Sequence, residues 1–225
     1  MSDTFTPTRL TALAATREGR IALTLGARDR WRPASDYLFA PLELPGAPTP
    51  AQEAPGESVA RLAREWLGCE ATLIPSQRLY GPSPTHAIDR LTPTPDDDPL
   101  PLLRLARMLP REDDVGAVDA VGGGPASVTV RVYLARLAGD AQPTARTAGL
   151  LWLTPAALLL ALRGQPFAET LAQPDAIWLP APLPHAPRPD ELARLFVFTP
   201  GEYGERHLLR IPAKYGAGAL FQGED

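Results

Sequence analysis

Gly46 to Cys69, GAPTPAQEAPGESVARLAREWLGC, is the stretch from which the rest of the chain is read. It follows an apolar run, Asp36 to Leu44 (DYLFAPLEL), that reads as a strand delivering the chain to Pro45-Gly46. Pro48, Pro50 and Pro55 then exclude regular helix or central strand until Glu57 or Ser58. From there Glu57, Arg61 and Glu65 are each four residues apart and share one face of a helix. Val59, Leu62, Ala63 and Trp66 lie toward the opposite, apolar side, and Gly68 can end the helix. A charge row of this kind has two uses. It can be a solvated face whose i,i+4 pairs contribute about 0.2–0.5 kcal/mol each. Beside a Gly-containing turn, it can also hold a divalent cation through hard oxygen ligands and screen a diphosphate.

The stretch resembles the Nudix box: Gly, five residues, Glu, seven residues, Arg-Glu, an apolar residue, any residue, Glu-Glu, any residue, Gly. Laid on without gaps, Glu53 takes the first Glu, Arg61 the Arg, Ala63 the apolar position, Glu65 the first paired Glu and Gly68 the closing Gly. Ala47 stands at the box Gly, with Gly46 just before it; Leu62 stands for the Glu after Arg, and Trp66 for the second paired Glu. A gapped register would put Gly56-Glu57 on the Gly-Glu pair but shorten the helix by a turn. The resemblance implies an α/β/α sandwich with a mixed, curved sheet. It also implies catalytic and metal-binding roles for Glu53, Glu57 and Glu65, with Arg61 orienting the row by pairing with Glu57 or Glu65. Mg2+ or Mn2+ would be the cofactor of an active site, and none would be needed by a lapsed one.

Composition narrows the partners. The 225 residues carry a net charge of -4, which gives no basic signature for nucleic acid. Lys214 is the sole lysine and Cys69 the sole cysteine, so neither a disulfide framework nor a thiolate cluster is available. Cys69, just past a helix C-terminus, reads as a small hydrophobe and not a nucleophile. The 27 prolines argue for rigid loops and abrupt helix ends. The first ten residues lack a signal pattern and no apolar run reaches spanning length, so a cytoplasmic protein without membrane contact is expected.

Along the rest of the chain, residues 10–26 read as two strands joined at Glu18-Gly19, with Ile21, Leu23 and Leu25 alternating against Ala22 and Thr24. Arg30 and Trp31, in the loop that follows, are candidate contacts for a nucleotide. Tyr80 is a third, because Tyr-Gly-Pro-Ser-Pro is similar to an aromatic and Pro-Ser-Pro-Gly segment of sugar-nucleotide and ADP-ribose-type members of the family. Residues 87–126 read as an insertion holding the Asp96–Asp98 run, an amphipathic piece (LLRLARML) and Gly122–Gly124. His86, Glu112, Asp113 and Asp114 are further candidates for a base or metal ligand. Ser127 to Leu137 and Leu150 to Leu153 read as strands; Thr154-Pro155 then caps a helix closed by Gly164. Residues 1–173 form the expected main domain. Residues 174–225 form an extension in which LFVF and HLLRI flank a Gly/Pro turn as a β-hairpin, packed on the main body or on a second copy of the chain.

Three functions follow. The first is a divalent-metal hydrolase of the nucleoside-diphosphate-linked lineage, with activity weakened or lost. The second is a Nudix-type ligand-binding or regulatory module without catalysis. The third is a docking scaffold. The expected partners are a nucleotide-type small molecule and, for an oligomer, a homodimer.

Overall fold

The structure, a computed structural model, describes residues 8–83, 87–109, 126–201 and 203–222. Strand β1 (Thr8–Arg17) turns at Glu18-Gly19 into β2 (Arg20–Gly26). Both turn residues have positive φ, 51° and 72°, the geometry that matches a two-residue hairpin to the twist of its strands. β3 (Arg32–Ala34) and β4 (Tyr37–Glu43) form a second hairpin. β5 (Gly46–Pro48) lies antiparallel to β1, pairing Ala12 with Gly46. Helix α1 (Pro55–Leu62) follows and runs on through a π turn, Ala63–Leu67. Then come β6 (Ala71–Ile74), β7 (Tyr80–Pro82), β8 (Ile88–Arg90), β9 (Leu103–Leu109), β10 (Ala126–Leu137) and β11 (Thr147–Leu153). Helices α2 (Pro155–Ala161) and α3 (Phe167–Leu171) lead to β12 (Ile177–Pro180), α4 (Pro189–Leu192) and β13 (Leu195–Phe198). Helices α5 (Glu205–Leu208) and α6 (Arg210–Tyr215) end the fold.

The strands make one mixed sheet in the order β12-β11-β2-β1-β10-β9-β7-β8, with β1 and β10 parallel over Thr8↔Val128 to Ala15↔Ala135. Because β1, β2, β10 and β11 are covered on both sides, their side chains divide by parity between two cores. Leu13, Ala15, Ala22, Tyr133 and Leu150 meet Val59, Leu62, Ala63 and Leu67 of the box helix. On the other face, Ala12, Ala14, Ile21, Leu23, Val130 and Val132 join one cluster with Leu158 of α2, Phe167 of α3 and Leu208 and Ile211 of the C-terminal helices. The expected α/β layering is therefore present, with helices on both faces. Ser127 to Leu137 is a strand as expected, and its alternate residues Val128, Val130, Val132 and Leu134 all lie in this second cluster.

Two parts differ from expectation. Residues 103–109, read as part of an insertion, are β9, which pairs antiparallel with β10 from Leu103↔Val132 to Leu109↔Ala126. Leu103 and Leu105 alternate inward around Arg104, the period of a half-buried strand. The C-terminal hairpin is not formed. LFVF is β13, but its partner is β4, in parallel, from Leu195↔Leu38 to Phe198↔Pro41. HLLRI is helical: Gly204, at φ 83°, turns the chain into α5, and Leu208, Leu209 and Ile211 are buried at helical spacing. His86, Glu112–Asp114 and Gly122–Gly124 lie outside the described residues.

Candidate functional site

The box begins at β5. A Cβ on Gly46 would lie 2.5 Å from the Tyr203 ring, so Gly46 is the residue of the turn that must be glycine. Ala47 continues the strand without positive φ and needs no glycine. Helix α1 starts two residues earlier than the sequence suggests. Pro55, whose missing N–H costs nothing at the first helical position, opens it. Glu57 reaches back to accept the Ala54 N–H at 3.0 Å, so its carboxylate closes the helix N-terminus. The helix ends at Gly68, φ 61°, in the left-handed conformation expected of a C-terminal cap. Across the π turn, Thr144 Oγ1 donates to the Glu65 carbonyl and the Gln142 N–H to the Leu67 carbonyl, each at 2.7 Å.

Arg61 binds Glu53 first. Its Nε and Nη2 donate to the two Glu53 oxygens at 2.7 and 2.8 Å, and Ser58 Oγ donates to the second at 2.6 Å. The expected pairing with Glu65 is present as a longer contact, 3.7 Å, but Glu53 is the nearer partner. The reason is geometric, since a planar guanidinium satisfies a carboxylate best through two parallel bonds. The Arg61 hydrogen bond holds the Glu53 carboxyl below its usual range, and the reciprocal bond raises Arg61. Glu65 has Arg61 on one side and Arg146, at 3.4 Å, on the other.

Leu62 is fully buried in the core beneath the helix, and half-buried Trp66 packs against it with its indole N–H buried and unpartnered. Among the described residues, no three of His, Cys, Asp and Glu come together to hold a metal ion. Among the described residues, the box acids are already engaged by other groups. Glu53 is saturated by Arg61 and Ser58, Glu57 is drawn to the cap, and apolar side chains occupy the two remaining box positions.

The other candidates lie in separate places. Arg30 and Trp31 line a cleft of about 330 Å³ with Asp29, Arg32, Pro41, Phe198 and Pro200. Its walls are fixed from behind. Arg30 grips both oxygens of fully buried Glu43, and the Trp31 indole N–H donates to the Gly26 carbonyl at 2.8 Å. The Arg28 guanidinium lies 5.4 Å from the Trp31 ring centre, and Arg32 5.6 Å from that of Phe198. Tyr80 is elsewhere, buried against Tyr215 with ring centres 5.1 Å apart. Asp97, in the Asp96–Asp98 run, is buried, binds Thr94 and Arg104, and faces Arg131 at 3.5 Å.

Some features escaped the sequence. A cavity of about 240 Å³ beside Glu53 is lined by Arg9, Thr11, Thr49, Arg131 and Tyr133. Burial raises the Tyr133 hydroxyl pKa. These residues come from β1, β10 and the box loop, which only strand pairing brings together. Cys69 is half-buried and its thiol is raised by burial, consistent with an unreactive role. Trp152 is 5% exposed and belongs to the core. No described helix is long and apolar enough to cross a membrane.

No family model and no curated protein matches the sequence. Solved structures similar to the chain include Nudix hydrolases. An ADP-ribose pyrophosphatase from Streptococcus suis is 17% identical, with 67% of this chain and 76% of that one covered at a TM-score of 0.37. A Nudix-family hydrolase from Clostridium perfringens is 16% identical, with coverage of 68% and 84% and a TM-score of 0.39. The MutT protein of Bacillus halodurans is 15% identical, with coverage of 68% and 72% and a TM-score of 0.38. These figures describe a distant likeness of chain path and say nothing about activity.

Proposed function

We propose that the chain is a Nudix-type ligand-binding module of the nucleoside-diphosphate-linked hydrolase lineage, in which metal-dependent hydrolysis has lapsed. The observation that carries this reading is the state of the box acids. Arg61 and Ser58 take both oxygens of Glu53, Glu57 serves the helix cap, and Glu65 lies between two arginines. A cation at this place would have to displace guanidinium groups already paired with the acids. The ligand cleft is the one at Arg30, Trp31 and Arg32. Anchored aromatic and guanidinium planes favour a flat, anionic ligand of nucleotide type, through stacking and charge-assisted hydrogen bonds.

The test is titration of ADP, ADP-ribose and a nucleotide sugar, with calorimetry and tryptophan fluorescence as readouts, in the presence of chelator and then of Mg2+ or Mn2+. Saturable binding without metal, weakened by Arg32→Ala and Trp31→Ala, is expected, with no product formed. Metal-dependent release of a nucleoside monophosphate that Glu65→Gln abolishes would overturn the reading.

A further inference from the structure

Glu205 takes no part in the box or the cleft, yet its surroundings are unusual for an acid. It opens α5 directly after Gly204, where a Cβ would lie 2.7 Å from Leu105 and 2.9 Å from Leu103. The side chain is fully buried. Its Oε1 accepts the Leu44 N–H at 3.3 Å, and the backbone N–H groups of Glu205 itself and of Tyr203 also act to lower its pKa, while Oε2 is buried without a hydrogen-bond partner. From β4 the charged group acting on it is Glu43, itself fully buried; from β9 its neighbourhood receives the apolar Leu103 and Leu105. Arg30 places both terminal nitrogens on Glu43. On its own helix, Arg206 turns away to Thr199 Oγ1 at 3.2 Å. Arg30 serves Glu43, and two interior carboxyls that act on each other cannot both ionise cheaply, so the one outside that guanidinium pair keeps its proton. That group is Glu205: burial, with a smaller contribution from the Glu43 charge, pushes its pKa up to about 7.

What depends on this acid is the C-terminal segment. The Tyr203 ring fills the space where a Gly46 side chain would be. Leu208, Leu209 and Ile211 enter the core, and Gln222 accepts from the Gln77 N–H at 2.7 Å. The segment thus covers the start of the box. We propose that residues 203–222 form a proton-gated strap: protonated Glu205 seats the segment over Leu44 to Gly46, and loss of that proton beside Glu43 lets it lift.

The direction follows from linkage. The folded-state pKa lies above the unfolded value of 4.5, so the contribution of Glu205 to closure is complete below pH 4.5. It is lost progressively as pH rises to about 7, and the open population grows about tenfold between pH 6 and pH 8. The experiment is hydrogen exchange by mass spectrometry on the full chain between pH 5.5 and 8.5, corrected for intrinsic exchange chemistry. Peptides spanning 203–222 should open about tenfold more at pH 8 than at pH 6 in the native protein, and equally at both in Glu205→Gln. No pH response in the native protein, or the same response in Glu205→Gln, would overturn the proposal. Should that variant fail to fold, a carbon-13 titration of the native glutamates decides. One carboxyl with a midpoint near 7 supports the strap; ordinary acidic midpoints for all of them refute it.

Discussion

Glu53→Gln tests whether the first box acid is a clamp or a metal ligand. In the structure its carboxylate receives three hydrogen bonds, two from the Arg61 guanidinium and one from Ser58, tying the proline-rich loop to the helix that follows it. A hydrogen bond to a charged group contributes about 1.5–3 kcal/mol. The side chains of Arg61 and Glu53 retain 24% and 14% exposure, and the amide keeps part of the geometry, so solvent screening reduces the total. A loss of about 2 kcal/mol at pH 7 is therefore expected. The sign of the pH dependence is fixed by Arg61, which depresses the folded-state pKa of Glu53 below 4.5. Its stabilisation is present above the unfolded value and disappears as pH falls through the folded one, so the penalty for Gln should vanish in acid. Urea unfolding at pH 7 and pH 3, with unchanged m-values, measures both quantities. A loss below about 0.5 kcal/mol, or a penalty equal at the two pH values, would refute the clamp. The same melts with Mg2+ offer a second check. A cation held at the box and supplied at 100 times its Kd would add about 2.7 kcal/mol; no gain is expected, and a gain that Glu65→Gln removes would refute the argument.

Two packing predictions test the fold around the site. Gly149→Ala puts a Cβ 2.0 Å from the Trp178 ring and should cost about 1–3 kcal/mol in thermal or urea melts, whereas an unchanged midpoint would mean that β12 sits differently. Trp66→Ala should cost about 2 kcal/mol, less than a fully buried tryptophan, because one side of the indole is open. Trp66→Phe, which removes an unpartnered N–H, should cost less than half of that; an equal cost would mean that the indole nitrogen has a partner.

The box region was legible because its information is local. The i,i+4 spacing of Arg61 and Glu65, the prolines before the helix and Gly68 after it specify a glycine-capped helix behind a proline-rich loop, although its start at Pro55 comes two residues before the one read from the sequence. The β1–β2 hairpin and the Thr154-Pro155 helix start were legible for the same reason, and Thr154 Oγ1 does accept the Ala157 N–H at 3.3 Å. The pairing within the box was not, because helical spacing puts Arg61 near Glu57 and Glu65 alike. Glu65 is held at 3.7 Å, while the two short bonds go to Glu53, which a loop folds back onto the guanidinium. Among candidate binding residues, Arg30 and Trp31 proved to be neighbours in one cleft, and Tyr80 lies elsewhere.

Sequence by itself determined the elements whose signal is short-ranged: a carboxylate-bearing helix, its C-terminal cap, the two-faced strands and a chain whose single cysteine leaves no disulfide within it. Tertiary structure decided every matter that depends on a distant partner. HLLRI became helical because β13 found its parallel neighbour in β4, leaving no strand for it to pair with and an apolar core for Leu208 and Ile211 to fill. Asp97 became a buried anchor because Arg104 and Arg131 meet it from adjacent strands. Glu205 and Glu43 became a coupled acid pair only when residues 162 positions apart were brought into one dry interior, where the burial of a charge, and not its spacing along the chain, sets its protonation.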